Sequence, residues 1–372
     1  MPPRILIAPD KFKGTLTAQA AARAIARGWR AADPKAHITQ LPISDGGDGF
    51  GEILSAIFGA RAVSTRAVNA AHQPCNVRWW WEPRSKTAII ESARVIGLAM
   101  LPPGRFHPFA LDTFGLGLIL RAAARKGARR CLVGIGGSAT NDGGFGMARA
   151  FDWKFLDKAG REIGRWTELD KLATIQPPRH RLLRELLVAV DVQNKLLGAR
   201  GCSRIYGPQK GLQPRDFASA EQCLRQLASV MGRYSGHNGA NEPGSGAAGG
   251  LGFGLCAFAG GRLIPGFDLV ARHAKISQHL RRTDLVVTGE GSIDRSTLMG
   301  KGVGELARLC RAANIPCLGL GGGVQDQAAV RQFFSAAHGL SEITSLTKAK
   351  AQPAHWLEKL AQKTAANWGA PA

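Results

Sequence analysis

The chain passes through Cys131-Leu132-Val133-Gly134-Ile135-Gly136-Gly137-Ser138-Ala139-Thr140-Asn141-Asp142-Gly143-Gly144-Phe145-Gly146-Met147. A short apolar run breaks into a loop dense in glycine, and residues 147–151 read as the first turns of a helix. Strand, glycine-rich loop and helix together form a phosphate-holding unit. The N–H groups at a helix start have no partner inside the helix, and the helix dipole favours an anion there. Glycine lets the backbone approach closely and take positive φ. Gly136, Gly137, Ser138, Thr140, Asn141 and Asp142 are therefore candidate phosphate or nucleotide ligands, the polar side chains also being suited to a metal.

The same alternation of strand and helix runs outward in both directions. Ile5-Leu6-Ile7 precedes a helical segment over 17–29, with Thr17 as its N-cap. Further strands are expected at 37–43, 88–91, 130–135, 187–190, 284–287 and 317–320, and a closing helix at 355–368. Several of these strands are unbroken apolar runs, the pattern of strands covered by helices on both faces. The expected class is α/β with a mostly parallel sheet. Two regions interrupt it: 77–82, with Trp79-Trp80-Trp81, pairs with 86–91 as an antiparallel hairpin, and 152–187 is irregular. Both fit a second domain inserted in mid-chain, and 372 residues is about twice the usual domain length.

Composition removes several function classes. With 45% hydrophobic and 20% charged residues the chain can build a core. The net charge of +22 comes from arginines scattered singly or in pairs such as Arg129-Arg130. No basic run interleaves with aromatics, so nucleic acid is not the expected partner. The seven cysteines form no Cys-x-x-Cys pair, which argues against a zinc site or disulfide framework. No apolar run is long enough for a bilayer and no signal-peptide core opens the chain, so a cytoplasmic protein without membrane contact is expected.

In open parallel sheets ligands bind beyond the carboxyl ends of strands. The residues found there recur in kind: Asp10, Lys11 and Lys13 after the first strand, Asp45 and Asp48 after the second, then Asp191, and finally Glu290 and Asp294. Carboxylates that hold Mg2+ and lysines that neutralise phosphate, Lys301 among them, are the requirements of phosphoryl transfer. Two other readings stay open on these residues. Gly244-Ser245-Gly246-Ala247-Ala248-Gly249 matches the dinucleotide pattern of a nicotinamide-dependent hydroxy-acid oxidoreductase, although polar residues and not a strand precede it. The non-enzymatic reading is a basic phosphate- or nucleic-acid-binding module.

The blocks and their order resemble the bacterial type-I glycerate kinases. They are Ala8-Pro9-Asp10-Lys11-Phe12-Lys13-Gly14, Asp45-Gly46-Gly47-Asp48-Gly49, the loop from Gly134 to Gly144, and Ser203-Arg204-Ile205-Tyr206-Gly207-Pro208-Gln209-Lys210-Gly211. Pro243-Gly244-Ser245-Gly246-Ala247-Ala248-Gly249-Gly250 follows, then Thr288-Gly289-Glu290-Gly291 with Asp294 and Gly300-Lys301. The resemblance implies ATP-dependent phosphorylation of glycerate, usually at the 2-position. It also implies a Rossmann- or flavodoxin-like domain built from both chain ends (1–66 and 284–372), a second mixed α/β domain (67–283) inserted between, and an active site in the cleft, in a monomer or homodimer. Assigned by charge, the loop and Lys301 would hold ATP phosphates, and Glu290 and Asp294 would hold Mg2+. Asp10, Lys11, Lys13 and Arg204 would bind glycerate, and Asp191 would accept the hydroxyl proton, with Asp45 and Asp48 as competitors. The chain departs from the family pattern at Lys195, where proline is usual, and over 111–118, where hydroxyls and a carboxylate are replaced. It departs again at Ser296-Thr297 and at Val303.

Overall fold

The computed structural model describes residues 2–298 and 302–368. In chain order its strands are β1 (Arg4–Ile7), β2 (His37–Gln40), β3 (Arg61–Val68), β4 (Pro74–Glu82), β5 (Thr87–Glu91), β6 (Arg130–Gly134), β7 (Lys154–Leu156), β8 (Thr174–Gln176), β9 (Glu185–Val190), β10 (Arg262–Pro265), β11 (Leu285–Ile293), β12 (Cys317–Val324) and β13 (Ala336–Gly339). Helices separate most of them, and the class is α/β. The chain divides into two compact units, Met1–Asp45 with Phe267–Ala372, and Gly46–Gly266.

The first unit has one sheet in the order β13-β12-β11-β1-β2, parallel throughout. From β1 the chain steps to β2 on one side, then returns to build β11, β12 and β13 on the other. This is the flavodoxin-like order, with its switch point between β1 and β11. The sheet needs apolar residues on both faces, and Ile5, Ile7, Leu285, Val287, Leu318 and Leu320 are all buried. The helix Ala18–Ala32 packs its alanine-rich side and Trp29 onto it, beside the closing helix Pro353–Trp368. Thr17 caps the former by accepting from the Ala20 N–H. β11 runs to Ile293, six residues past the apolar run that marks it in the sequence, because Gly289 to Ile293 pair with Leu320 to Val324 of an equally glycine-rich strand.

The second unit carries a six-stranded mixed sheet, β10-β9-β6-β5-β4-β3. β5, β6, β9 and β10 are parallel, while β3 and β4 pair antiparallel. The tryptophans serve as hairpin packing: Trp79 is buried with its Nε1–H donating to Thr65 Oγ1. Trp80 lies so close to Gly51 that any Cβ there would fall 2.0 Å from its ring. The 152–187 region, read as irregular, contains the small antiparallel pair β7–β8. β3 pairs along its whole length with β4, across position 66 where the sequence reading drew a boundary. Residues 267–283, read as part of the insertion, group with the first unit.

Candidate active site

The carboxyl ends of β1 and β11 lie at the switch point of the first sheet, where open α/β sheets form their ligand crevice. Pairing continues past β1, since the Asp10 N–H donates to the Gly289 carbonyl at 2.8 Å. That bond sets Asp10 beside Glu290. Thr288 Oγ1 donates to the Ala8 carbonyl and locks the same register. Asp10 is only 6% exposed, and its Oδ1 accepts from the Lys11 N–H at 2.6 Å. Burial, reinforced by the charges of Asp45 and Glu290, pushes its carboxyl up to about 7 against the pull of Lys11. Lys11 Nζ is 3.6 Å from Asp45 Oδ1. Lys13 is exposed one turn further on.

Asp294 is committed differently. Its Oδ1 accepts from the backbone and hydroxyl of Ser296, and its Oδ2 from Ser292 Oγ. Its own N–H donates to Thr297 Oγ1. These bonds start the short helix Arg295–Leu298, which is how the altered Ser296-Thr297 pair is used. Lys301 lies outside the described residues. Among the described residues no group of three His, Cys, Asp or Glu could hold a metal by itself.

In the second unit the glycine-rich loop follows β6, as its sequence indicates. The helix behind it, Phe145–Ala150, has only six residues. Its start is already occupied by the protein's own carboxylate. Asp142 Oδ2 accepts from the Gly146 N–H and from the N–H and hydroxyl of Thr113, and Oδ1 accepts from the Gly144 N–H. Asp142 is fully buried. Burial, then the charge of Asp112, pushes its carboxyl up to about 6 against those bonds. Thr113 belongs to the altered 111–118 segment, so this departure sits in the core under the loop: Leu111 and Leu116 are buried too.

Ser138, Thr140 and Asn141 are buried as well. Ser138 Oγ and Thr140 Oγ1 bond to each other at 2.9 Å, and Asn141 Nδ2 donates to Ser203 Oγ. Asn141 Oδ1 is buried with no hydrogen-bond partner. What the loop turns outward is Gly137, exposed with φ +74°, while Gly136 is half-buried against Gly47 with its N–H donating to the Gly46 carbonyl. The loop thus presents backbone, while its polar side chains hold it from beneath.

The second glycine motif is the buttress of the first. Ala248, Gly249 and Gly250 are left-handed in succession, and the Gly143 N–H donates to the Gly249 carbonyl. A Cβ on Gly249 would lie 2.0 Å from the Thr140 carbonyl oxygen. The motif follows a 3-10 turn, Gly239–Asn241, and no strand, so the dinucleotide arrangement is absent. From the other side Lys210 Nζ donates to that same Thr140 carbonyl at 2.6 Å. Lys210 is 6% exposed, and burial lowers its ammonium to about 8. Nothing in the local sequence marks Lys210, because its partner is a carbonyl 70 residues away.

Asp48 is exposed near Gly137, whose Cβ would stand 3.1 Å from Asp48 Oδ1. Glu91, at the end of β5, receives the Gly49 and Gly51 N–H groups and so caps the helix Phe50–Phe58. Asp191 is exposed just past β9. Burial, then the charge of Asp191, pushes the nearby Tyr206 hydroxyl up to about 12, and that hydroxyl donates to Asn194 Oδ1. Arg204 leaves this group. It lies on another side of its helix, against Glu221 at 3.5 Å and over the Phe217 ring.

Residues 5–369 match the model of the glycerate kinase family. A glycerate kinase of Halalkalibacterium halodurans is 36% identical over 97% of both chains. The glycerate 2-kinase of Escherichia coli K12 is 34% identical over 92% of this chain and 90% of its own. Among solved structures, a Salmonella typhimurium LT2 protein described as glycerate kinase 2 superposes with a TM-score of 0.84 at 31% identity, covering 99% of this chain and 98% of that one. No helix among the described residues is long and apolar enough to cross a membrane.

Proposed function

The chain belongs to the glycerate kinase family and is a kinase, and from that premise we propose that it transfers the terminal phosphoryl group of ATP, with Mg2+, to the 2-hydroxyl of glycerate. The observation that carries the reading is the cluster of Asp10, Lys11, Asp45 and Glu290 at the switch point of the first sheet.

The residues fit a hard divalent cation. Their donors are carboxylate oxygens, and burial, then the neighbouring charges of Asp45 and Glu290, raises the Asp10 carboxyl, a cost that a bound cation would relieve. With no three-carboxylate cage among the described residues, the fit is to Mg2+, which takes one or two carboxylates and completes its shell with phosphate oxygens and water. Glu290 and Asp294 are the proposed holders, with Asp10 the better second ligand because the oxygens of Asp294 already bond Ser292 and Ser296. Bound there, Mg2+ neutralises charge on the transferring phosphate.

Lys11 and Lys13 supply the charge that binds the glycerate carboxylate, and Asp10 orients Lys11 through its N–H. Asp191 accepts the hydroxyl proton, with Asp45 and Asp48 as the competing acceptors. The outward backbone of Gly137, with Gly136 beside it, receives ATP phosphates, with Lys301 as a second cation, while Ser138, Thr140, Asn141 and Asp142 shape the loop from within. Arg204, engaged with Glu221, is the weakest of the substrate ligands.

The test is ADP release by the purified protein with ATP, Mg2+ and D-glycerate. ADP formation that requires glycerate and yields 2-phosphoglycerate supports the reading. Formation of 3-phosphoglycerate overturns the position, and ADP release indifferent to glycerate overturns the substrate.

A further inference from the structure

We propose that Lys210 is a positioning residue for nucleotide phosphate: it fixes the Thr140–Asn141 turn of the glycine-rich loop and lends the loop the positive charge that favours a phosphate on its outer face. The inference rests on the reading of that loop as a phosphate site.

Ser203 and Lys210 stand two turns apart on the helix Cys202–Lys210 and so share a face. Both reach the loop, Ser203 through Asn141 Nδ2 at 2.9 Å and Lys210 through the Thr140 carbonyl at 2.6 Å. The carbonyl is wedged, since Gly249 presses on it from the far side with no room for a Cβ. Its direction is therefore fixed by a cation below and a glycine beside it. Asn141 Oδ1, one residue on, is a buried acceptor without a partner.

A buried ammonium costs several kcal/mol unless its charge is compensated. The carboxylate that favours the charged form is Asp142, whose oxygens already accept from Thr113, Gly144 and Gly146. Lys210 thus offsets the Asp142 charge beneath the loop, and without it that carboxylate would face an anion above unopposed. A lysine that only filled space would be better replaced by an apolar side chain of the same length.

The test compares Lys210→Met, Lys210→Arg and Lys210→Ala with the unaltered protein in two assays: calorimetric binding of ADP, and glycerate-dependent ADP formation with each substrate varied. Thermal unfolding checks that each variant folds. Lys210→Met should weaken ADP binding and raise the KM for ATP by at least about tenfold, the size of one charge-assisted contact, with the KM for glycerate changed less than about twofold. Lys210→Arg should fall between. In Lys210→Ala, n-propylammonium should restore ADP binding while the neutral isostere 1-propanol should not, which reads charge and not volume.

Unchanged ADP binding in folded Lys210→Met, an equal rise in both KM values, or equal rescue by 1-propanol overturns the proposal. If Lys210→Met does not fold, the alanine rescue decides. If the unaltered protein binds ADP through Lys210 but does not turn over glycerate, the kinase reading fails and this inference stands. Turnover with ADP binding indifferent to Lys210 gives the reverse, and failure of both assays in the unaltered protein overturns both.

Discussion

In the first unit the buried Asp10 feels the charges of Asp45, Glu290 and Lys11 at the switch point, where the last three are half-buried. In the second unit Asp142 and Lys210 are both buried, and each bonds to backbone groups of one loop. Like charges crowded together raise the energy of their ionised state and await a counter-charge. Charges bound up in several hydrogen bonds to loop backbone instead fix a conformation. Carboxylates after apolar runs look alike in sequence, yet one set is proposed to take a ligand and Asp142 holds up a loop.

The sharpest way to break this contrast is Glu290→Gln. Removing the charge but not the shape should lower turnover by about a thousandfold while Tm moves by less than about 3 °C. A variant that unfolds with normal turnover per folded molecule would make Glu290 structural. Gly249→Ala tests the second unit, and there the order reverses: a Cβ at φ +71° and 2.0 Å from the Thr140 oxygen should cost about 3 kcal/mol of stability. Denaturant unfolding reads that loss, and a neutral result would remove the wedge. Asp191→Asn sharpens the comparison, because Asp191 is an exposed carboxylate of the second unit. Turnover should drop at least about a hundredfold with ADP binding retained, and near-normal turnover would pass the role to Asp45 or Asp48. Arg204→Ala should do least, within about twofold in KM for glycerate, as an exposed ion pair is worth under about 1 kcal/mol. A tenfold rise would return Arg204 to the substrate.

Much of the scaffold is visible in the one-dimensional pattern. Ile5 to Ile7, Cys131 to Val133 and Leu285 to Val287 are apolar on consecutive residues because helices cover both faces of their sheets. Thr17 marks its helix start because its hydroxyl has a local partner, and the tryptophan hairpin pairs where two apolar runs flank a short polar turn. The far half of β11 is invisible for an equally physical reason. Gly289, Gly291 and their neighbours read as a turn, and only the pairing with β12 makes them a strand.

The site divides in the same way. Asp10 follows closely after β1, so its sequence position suffices, whereas Glu290 lies within β11 and is placed by pairing with Gly321 of β12. Asp142, Thr140 and Asn141 carry polar side chains in a glycine loop, and nothing local says that they turn inward. That depends on Thr113, Ser203 and Lys210, which are distant in the chain. Lys210 itself gives no local signal, since its partner is a backbone carbonyl 70 residues away.

The pairing of β1 with β11 also dictates a schedule. Ile5 meets Leu285 in register, so the amino-terminal strand and the apolar side of the helix Ala18–Ala32 are synthesised long before their partners. At ordinary rates of translation the delay is roughly 15–60 s, during which Ala21, Ile25 and Trp29, all buried in the finished protein, stay wet. Residues 46–266 have every strand of their own sheet at hand meanwhile. A ribosome that stalls before residue 285 therefore releases one unit with its sheet whole and another with its central strand missing, and an apolar helix that a chaperone must cover.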